Sequence, residues 1–216
     1  MASQAMEDYL LAIYRLEDLG RRPGTGEVAQ ELGVSAASTT AMFKRLAQEG
    51  LVSYREYGGV SLSERGRALA LGLIRRHRLA ERFLTDLLDL PWEGVHEIAD
   101  RLEHALPPEV IERFAGLLGE PRTCPHGHPI PTRDGRLPYI EVRPLGSVEV
   151  GETAVVALVE ERDAALLRHL GELGLKPGAR VRVVEREPFD GSMRLECDGR
   201  EILVSGRVAG AVAVHA

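Results

Sequence analysis

The sequence predicts a mostly α-helical first two-thirds followed by a small β-barrel-like module. Two patterns in it carry that prediction. Apolar residues recur at helical spacing from the first residues to about Leu118, and from about Val148 onward the chain switches to short β-type runs such as "VVALV", "RVRVVER", "MRLEC" and "EILVSG". Between the two lies a Pro/Gly-rich stretch, residues 121 to 147, that reads as a connector.

The helical part opens with "MEDYLLAIYRLEDLG". Tyr9, Leu10, Ile13, Leu16 and Leu19 share one helix face there, and Gly20 is a fitting stop. "TGEVAQELGV" predicts a short second helix with Thr25 as N-cap. Gly33 supplies a turn, and Ser35 caps a third helix through "AASTTAMFKRLAQEG". "LVSYREYGGVSLS" then reads as two strands about a Gly58-Gly59 turn. Helix, short helix, tight turn, helix and hairpin in this order make a winged helix-turn-helix; an inert three-helix bundle is the competing reading. The chain is again helical from Ser63 to about Leu118, interrupted at Pro91-Trp92 and at Pro107-Pro108. The apolar positions of this middle region (Leu79, Phe83, Leu84, Leu87 and Leu88 among them) need a covering surface, either their own core or a second copy of the chain. In the last segment, "DAALLRHLGELG" is a helix set between strands and "KPG" a turn.

Composition narrows the function classes. At 216 residues, with 44% hydrophobic and 28% charged residues, the chain is an ordinary globular protein, long enough for one large domain or two to three small ones. No apolar run reaches the length of a membrane span, and the first residues lack the basic start and apolar core of a signal peptide. Two cysteines, Cys124 and Cys197, give no disulfide framework and suit a reducing cytoplasm. A net charge of −6 argues against a general nucleic-acid coat, but a DNA reader needs favourable charge on one face only.

The stretch "VHEIADRLEHAL" carries the chemistry. On one helix, His96, Asp100 and His104 are spaced by four and four, and Glu103 lies three beyond Asp100. The preceding helix adds His77 and Glu81, again four apart. Imidazoles and carboxylates on facing helices can close around divalent ions. The bland alternative is a solvated charged face paired with Arg101 or Arg78. A second candidate, "TCPHGHPIP", brings Cys124, His126 and His128 within five positions, but singly alternating with Pro and Gly, without the paired units of a zinc knuckle. Its expected role is that of a turn-rich linker.

"MEDYLLAIYRLED", "RRHRLAERFLTDLL", "VHEIADRLEHAL" and "CPHGHPIP", in that order, resemble the DtxR/MntR family of metal-dependent transcriptional repressors, over almost the whole chain. The resemblance implies a homodimer with a winged-helix DNA-binding domain over 1–74, a helical metal-binding and dimerisation domain over 75–122, a linker over 123–147 and an SH3-like (FeoA-like) domain over 148–216. It implies a primary metal site at Asp8, Asp100, Glu103 and His104. It implies an ancillary site at His77, Glu81 and His96, completed in the longer members by acidic or amide side chains of the last domain. Glu160 and Asp163 are the candidates for that completion, with Glu161 a competitor. Iron-type members carry Met and Cys where Asp8 and Asp100 stand, and manganese-type members carry a carboxylate where this chain has Leu11. A primary set of three carboxylates and one imidazole is hard, which suits Mn(II) and admits Fe(II).

The expected function is therefore a cytoplasmic, metal-dependent regulator that binds double-stranded DNA at a palindromic operator as a dimer. The recognition helix is expected at Ala36 to Gln48. Ser35, Ala37, Ser38, Thr39 and Thr40 stand at its start, and Lys44, Arg45, Arg55 and Tyr57 are placed for the phosphate backbone. No guanine-reading arginine stands in its first turn, so DNA shape is expected to carry part of the specificity. Two other classes share the metal cluster: a metallohydrolase, for which no further base or oxyanion motif is present, and a metal-buffering or transport-accessory protein.

Overall fold

A computed structural model describes residues 3–18, 20 and 22–215; Leu19 of the first predicted helix lies outside them. The chain divides into two compact units: residues 1–76 with 131–137, and residues 77–130 with 138–216.

The N-terminal unit is built from α1 (Gln4–Asp18), α2 (Thr25–Leu32), α3 (Ala36–Gln48), β1 (Val52–Arg55), β2 (Gly59–Leu62) and the first part of α4 (Glu64–Asp86). Met6, Leu10 and Ile13 of α1, Val28 of α2, Phe43 and Leu46 of α3, and Val60 of β2 form its core, all at most 1% exposed. Phe43 sits at its centre, its ring 5.2 Å from that of Tyr54 and 6.3 Å from that of Tyr9. The sequence places the start of α2 one residue late. Gly24 is the N-cap, its backbone N–H donating to the Glu27 carboxylate at 2.8 Å, and Thr25 is already helical. The α2–α3 turn and the Ser35 cap are as expected: Gly33 is left-handed (φ 64°), and Ser35 Oγ accepts from Ser38 N at 3.1 Å. The strands pair antiparallel with Arg55 opposite Gly59, so residues 56–58 form the turn, with Tyr57 left-handed at its tip. Gly59 has a positive φ of 77°, and a Cβ there would lie 2.8 Å from the Pro23 carbonyl oxygen, which accepts a hydrogen bond from Val60 N.

The second unit holds the rest of α4, α5 (Val95–Glu103), α6 (Pro108–Leu117), and a six-stranded antiparallel sheet with two short helices. Its strands are β3 (Val142–Pro144), β4 (Thr153–Val159), β5 (Arg180–Arg186), β6 (Met193–Cys197), β7 (Arg200–Val204) and β8 (Val212–His215), in the order β3-β8-β4-β5-β6-β7. The predicted barrel-like module is thus a sheet with β3 and β7 at the two ends of its order. The helix α7 (Ala164–Leu173) covers it, and α8 (Gly206–Gly210) precedes the last strand. Leu167 and Leu170 of α7 pack with Leu145, Val156, Val181, Val183, Leu195 and Val214 in its core. Among the helices, Ala80 and Leu84 of α4 pack with Val95 and Ala99 of α5, and Leu79 packs with Ile111, Ala115 and Ile130.

The Pro/Gly-rich stretch departs most from expectation. Residues 123–130 are a tight packed loop, with Cys124 N bonded to His128 O (2.9 Å) and Gly127 N to Cys124 O (3.0 Å). The loop is clamped to β4 from both sides: Val159 N donates to His126 O at 3.0 Å, and His128 Nε2 donates to Val159 O at 2.9 Å. Gly127 is required at the contact. Its φ is 91°, and a Cβ would come within 2.0 Å of the Ala157 carbonyl oxygen. Cys124 and His126 are consequently buried, which a free linker would not do.

Candidate metal centre and nucleic-acid interface

The centre grows from the register of two helices. Positions four apart on α4 put His77 and Glu81 on one face, and the same spacing on α5 brings His96 and Asp100 to meet them. His77 Nε2, His96 Nδ1 and Glu81 Oε1 lie 3.0 Å from one another on every side of a triangle. An octahedral ion with bonds of about 2.1 Å spaces its adjacent ligand atoms by about 3.0 Å, so these donors are already at coordination spacing. The other nitrogen of His77 faces Glu103 Oε2 at 2.8 Å and Asp100 Oδ1 at 3.2 Å. In a neutral ring donating from Nδ1 to these carboxylates, Nε2 turns a lone pair toward Glu81 and His96. That convergence of acceptors calls for a cation or a proton. His104, the C-cap of α5, continues the cluster with Nε2 3.3 Å from Glu103 Oε1.

The packed loop and the segment just after β4 bring a second set to Glu81. His126 Nδ1 lies 3.5 Å from Glu81 Oε1 and 3.9 Å from Glu161 Oε2, and Cys124 Sγ is 4.0 Å from the same Glu161 oxygen. One donor atom each from Glu81, Cys124, His126 and Glu161 falls within 4.8 Å of all the others. His126 Nε2 donates to the Trp92 carbonyl at 2.9 Å, which leaves Nδ1 as a bare lone pair in the neutral ring. His126 Nδ1 and Glu81 Oε2 are both buried and make no hydrogen bond. Two orphaned buried acceptors on neighbouring residues fit a bound cation and cost free energy without one.

Electrostatics agree. Burial works to lower the pKa of His77, but hydrogen bonds to Asp100, Glu103 and Glu81 overcome it and hold the imidazole well above its ordinary value. Burial works to raise Glu81, and the imidazoles of His126, His77 and His96 outweigh it and hold the carboxyl well below the usual range. His126 is raised against burial, chiefly by Glu81. Burial, with Glu81 and Glu161 adding to it, pushes the Cys124 thiol well up. Glu161 is lowered against burial by His128, whose own pKa burial lowers. In the metal-free protein protons stand where a cation is wanted, and a cation must displace them.

Of the residues expected from sequence, His77, Glu81, His96, Asp100, Glu103 and His104 are gathered in this one region of the second unit. Asp8 is on α1, half-buried, in the N-terminal unit. Glu160 is exposed, and Asp163 is spent elsewhere: it caps α7 through Leu166 N (3.0 Å) and pairs with Arg207 (3.2 Å). Sequence reasoning passed over Cys124 and His126 as linker residues and ranked Glu161 behind its neighbours. The sequence signal was there in "CPHGH", but the carboxylate that meets it, Glu161, is 35 residues beyond His126, just past the end of β4, where only the fold brings it back.

On α3, exposure sorts the expected DNA-facing residues. Ser35, Ala37, Ser38, Lys44 and Arg45 are exposed, as are Arg55 and Tyr57 of the wing, and Ala41 and Gln48 share that face. Thr39 is fully buried, with its hydroxyl donating to Ser35 O at 3.1 Å and lying 3.4 Å from the Tyr9 hydroxyl. Thr40 donates to Ala36 O at 3.0 Å, and the Ser35 and Ser38 hydroxyls bond each other at 2.8 Å.

Three family models match successive parts of the chain: the N-terminal DNA-binding domain of iron-dependent repressors over residues 1–60, their metal-binding and dimerisation domain over 63–132, and the FeoA domain over 143–216. The iron-dependent repressor IdeR of Mycobacterium tuberculosis (strain ATCC 25618 / H37Rv) is 34% identical over 197 residues, 86% of this chain and 85% of that protein. A manganese-dependent transcriptional repressor in complex with manganese superposes with a TM-score of 0.86 at 33% identity, covering 98% of this chain and 99% of that one. The repressor ScaR with bound Cd2+ follows at 0.81 and 32% identity, over 97% and 98%. With winged helix, metal-ligand cluster and FeoA-type sheet in the same order and over the same residues, this chain belongs to the iron-dependent repressor family.

Proposed function

We propose that the protein is a metal-dependent transcriptional regulator that binds DNA through its winged helix and responds to Mn(II) or Fe(II). The observation that carries this reading is the triangle of His77, His96 and Glu81 donors at 3.0 Å in a chain that also presents an exposed recognition helix. Asp100, Glu103 and His104 form the regulatory set, to which Asp8 is added from the sequence alone. His77, Glu81 and His96 form the ancillary set. Cys124, His126 and Glu161 stand beside Glu81 as a further cation-binding group; Glu160 and Asp163 keep only the weaker support of the sequence. When bound, the cation supplies a fixed positive charge that replaces the protons held among these carboxylates and imidazoles.

The chain's own residues do the rest. The carboxylates repel one another unless a cation sits between them, so ion binding and the conformation of the helices that carry them form a single equilibrium. DNA binding joins that equilibrium, and the coupling is reciprocal. On DNA, Ser35 to Thr40 begin the recognition helix, of which Ala37 and Ser38 present exposed side chains. Lys44, Arg45, Arg55 and Tyr57 supply phosphate contacts. The finer reading is a homodimer on a palindromic operator, two recognition helices one helical turn apart, acting in the cytoplasm. Leu87, Leu88 and Leu117, exposed by 46%, 52% and 68%, are apolar surface suited to a second copy. No described helix is long and apolar enough to cross a membrane.

The test is fluorescence anisotropy of a promoter fragment from the protein's own genomic neighbourhood, titrated anaerobically with Mn(II) and Fe(II). An Asp100→Ala, His104→Ala double variant runs alongside. Binding that appears with metal and is lost in the variant supports the reading, and equal binding with and without metal overturns it.

A further inference from the structure

The wing is a two-stranded hairpin, and a hairpin alone is marginally stable at best in water. Its angle therefore depends on what braces it. Two β2 amides find partners outside β1: Val60 N donates to Pro23 O at 3.0 Å, and Leu62 N donates to Glu17 Oε1 at 3.0 Å. Glu17 lies in the last turn of α1 and Pro23 between α1 and α2. The Glu17 carboxylate is itself fixed. Its Oε2 accepts from Arg67 Nη2 of α4 at 2.6 Å, and the Arg67 guanidinium lies 5.5 Å from the centre of the Tyr14 ring.

Arg22 closes this arrangement. Its Nη2 donates to Ser61 Oγ at 2.9 Å, with Ser53 O at 3.2 Å and Ser53 Oγ at 3.4 Å as further acceptors. Ser53 and Ser61 stand directly opposite each other in the strand register, so one guanidinium holds both strands at once. That pair is two residues from the Arg55–Gly59 pair at which the turn begins. Arg22 also reaches the turn, since a Cβ at Gly59 would lie 3.2 Å from Arg22 Cγ. A planar fork can span two strands in this way, and a lysine ammonium cannot.

We propose that Arg22 is a positioning residue for DNA binding, which sets the angle of the wing and so presents Arg55 and Tyr57 to the duplex. This rests on the reading of the wing as a DNA-contacting element and adds the residue that aims it. Arg22 acts on DNA through the hairpin and makes no phosphate contact of its own. Because its side chain is exposed, replacing it opens no cavity in the core.

The experiment measures DNA affinity of the Mn(II)-loaded full chain by fluorescence anisotropy over a range of salt concentrations. Arg22→Ala is placed in the native chain and in a variant with a blunted wing tip, Arg55→Ala with Tyr57→Ala. In the native chain it is expected to weaken binding about tenfold. In the blunted variant the further loss is expected to stay within about twofold, because the brace then has nothing to aim. An equal loss in both backgrounds, with the slope of log affinity against log salt reduced by about 1 in each, overturns the proposal: Arg22 would then bind phosphate itself. Unchanged affinity in the native chain overturns it as well.

Amide hydrogen exchange without DNA reads the brace directly. Arg22→Ala is expected to speed exchange in the wing, Val60 included, about tenfold and to leave the α3 amides unchanged. Acceleration spread over the whole N-terminal unit, or none in the wing, counts against a positioning role and overturns it. DNA binding that does not depend on Mn(II) sinks the metal-dependent reading and leaves the Arg22 result standing. Metal-dependent binding indifferent to Arg22→Ala sinks only the positioning role, and a native chain that binds no DNA sinks both.

Discussion

The Nε2 hydrogen of His126 is donated to the backbone carbonyl of Trp92 at 2.9 Å, 34 residues away in sequence, and this one bond decides which nitrogen of His126 faces Glu81. The bond depends on the loop that carries His126 lying flat on β4, and Gly127 permits that approach. Gly127→Ala places a methyl within 2.0 Å of the Ala157 carbonyl oxygen at a positive φ. The expected result is a loss of about 2–4 kcal/mol in stability in urea unfolding, with Co(II)–thiolate absorption reduced in the protein that still folds.

The pH dependence of the metal-free protein follows from two opposed shifts. His77 is raised in the folded state, so its contribution to stability is complete below its unfolded pKa of about 6.5 and is lost as pH rises through the folded value. Glu81 is lowered, so its contribution is complete above its unfolded pKa of about 4.3 and is lost as pH falls through the folded value. Chelator-treated protein should therefore be most stable between about pH 4.5 and 6.5, as read from urea midpoints. Replacing His77 by Gln should reduce the fall on the alkaline side, leaving the part that His126, also raised, contributes. Metal uptake should release protons, and metal affinity should weaken as pH drops through the same range.

Exposure on α3 separates side chains open to a DNA partner from those that hold the helix. Lys44→Ala and Arg55→Ala should weaken binding by similar factors on every sequence, and each should reduce the slope of log affinity against log salt by about 1. Thr39→Ala acts differently. Its hydroxyl is buried against Ser35 O and Tyr9, so the change should cost about 1–2 kcal/mol of stability and leave the ranking of DNA sequences unaltered.

Dimerisation through the exposed leucines is checked by sedimentation. Leu117 is 68% exposed on α6, next to the Phe83–Phe114 stack whose rings lie 4.0 Å apart. Leu117→Glu should weaken self-association by at least tenfold, about 1.4 kcal/mol, while barely changing the fold of a single chain.

Local signals made much of this protein legible in its sequence. The winged helix is announced by Gly33, by Ser35 and by the periodicity of Leu10, Ile13 and Phe43, each of which acts within a few residues of itself. His77 with Glu81, and His96 with Asp100, are visible because i,i+4 spacing is a helix property, and the helix is evident from its apolar face. Cys124, His126 and Glu161 were not legible in the same way. Their convergence depends on a loop docking onto β4, and the contact is recorded in the sequence only as a glycine flanked by two histidines. Asp163 illustrates the converse: a carboxylate at the right distance along the chain turned out to be the N-cap of α7, a local use that competes with any distant one. Gly24 displaced Thr25 as the cap of α2 for a similarly local reason, the reach of Glu27.

The most direct test of metal-gated DNA binding is a closed thermodynamic cycle on the native chain. DNA affinity is measured with and without saturating Mn(II), and Mn(II) affinity with and without saturating DNA, at one pH and one salt concentration. The expected result is the same factor on both sides of the cycle, fivefold or more, about 1 kcal/mol of coupling. A factor of one on both sides would mean that the ion and the DNA bind independently, and would contradict the account whatever the occupancy of the metal centre.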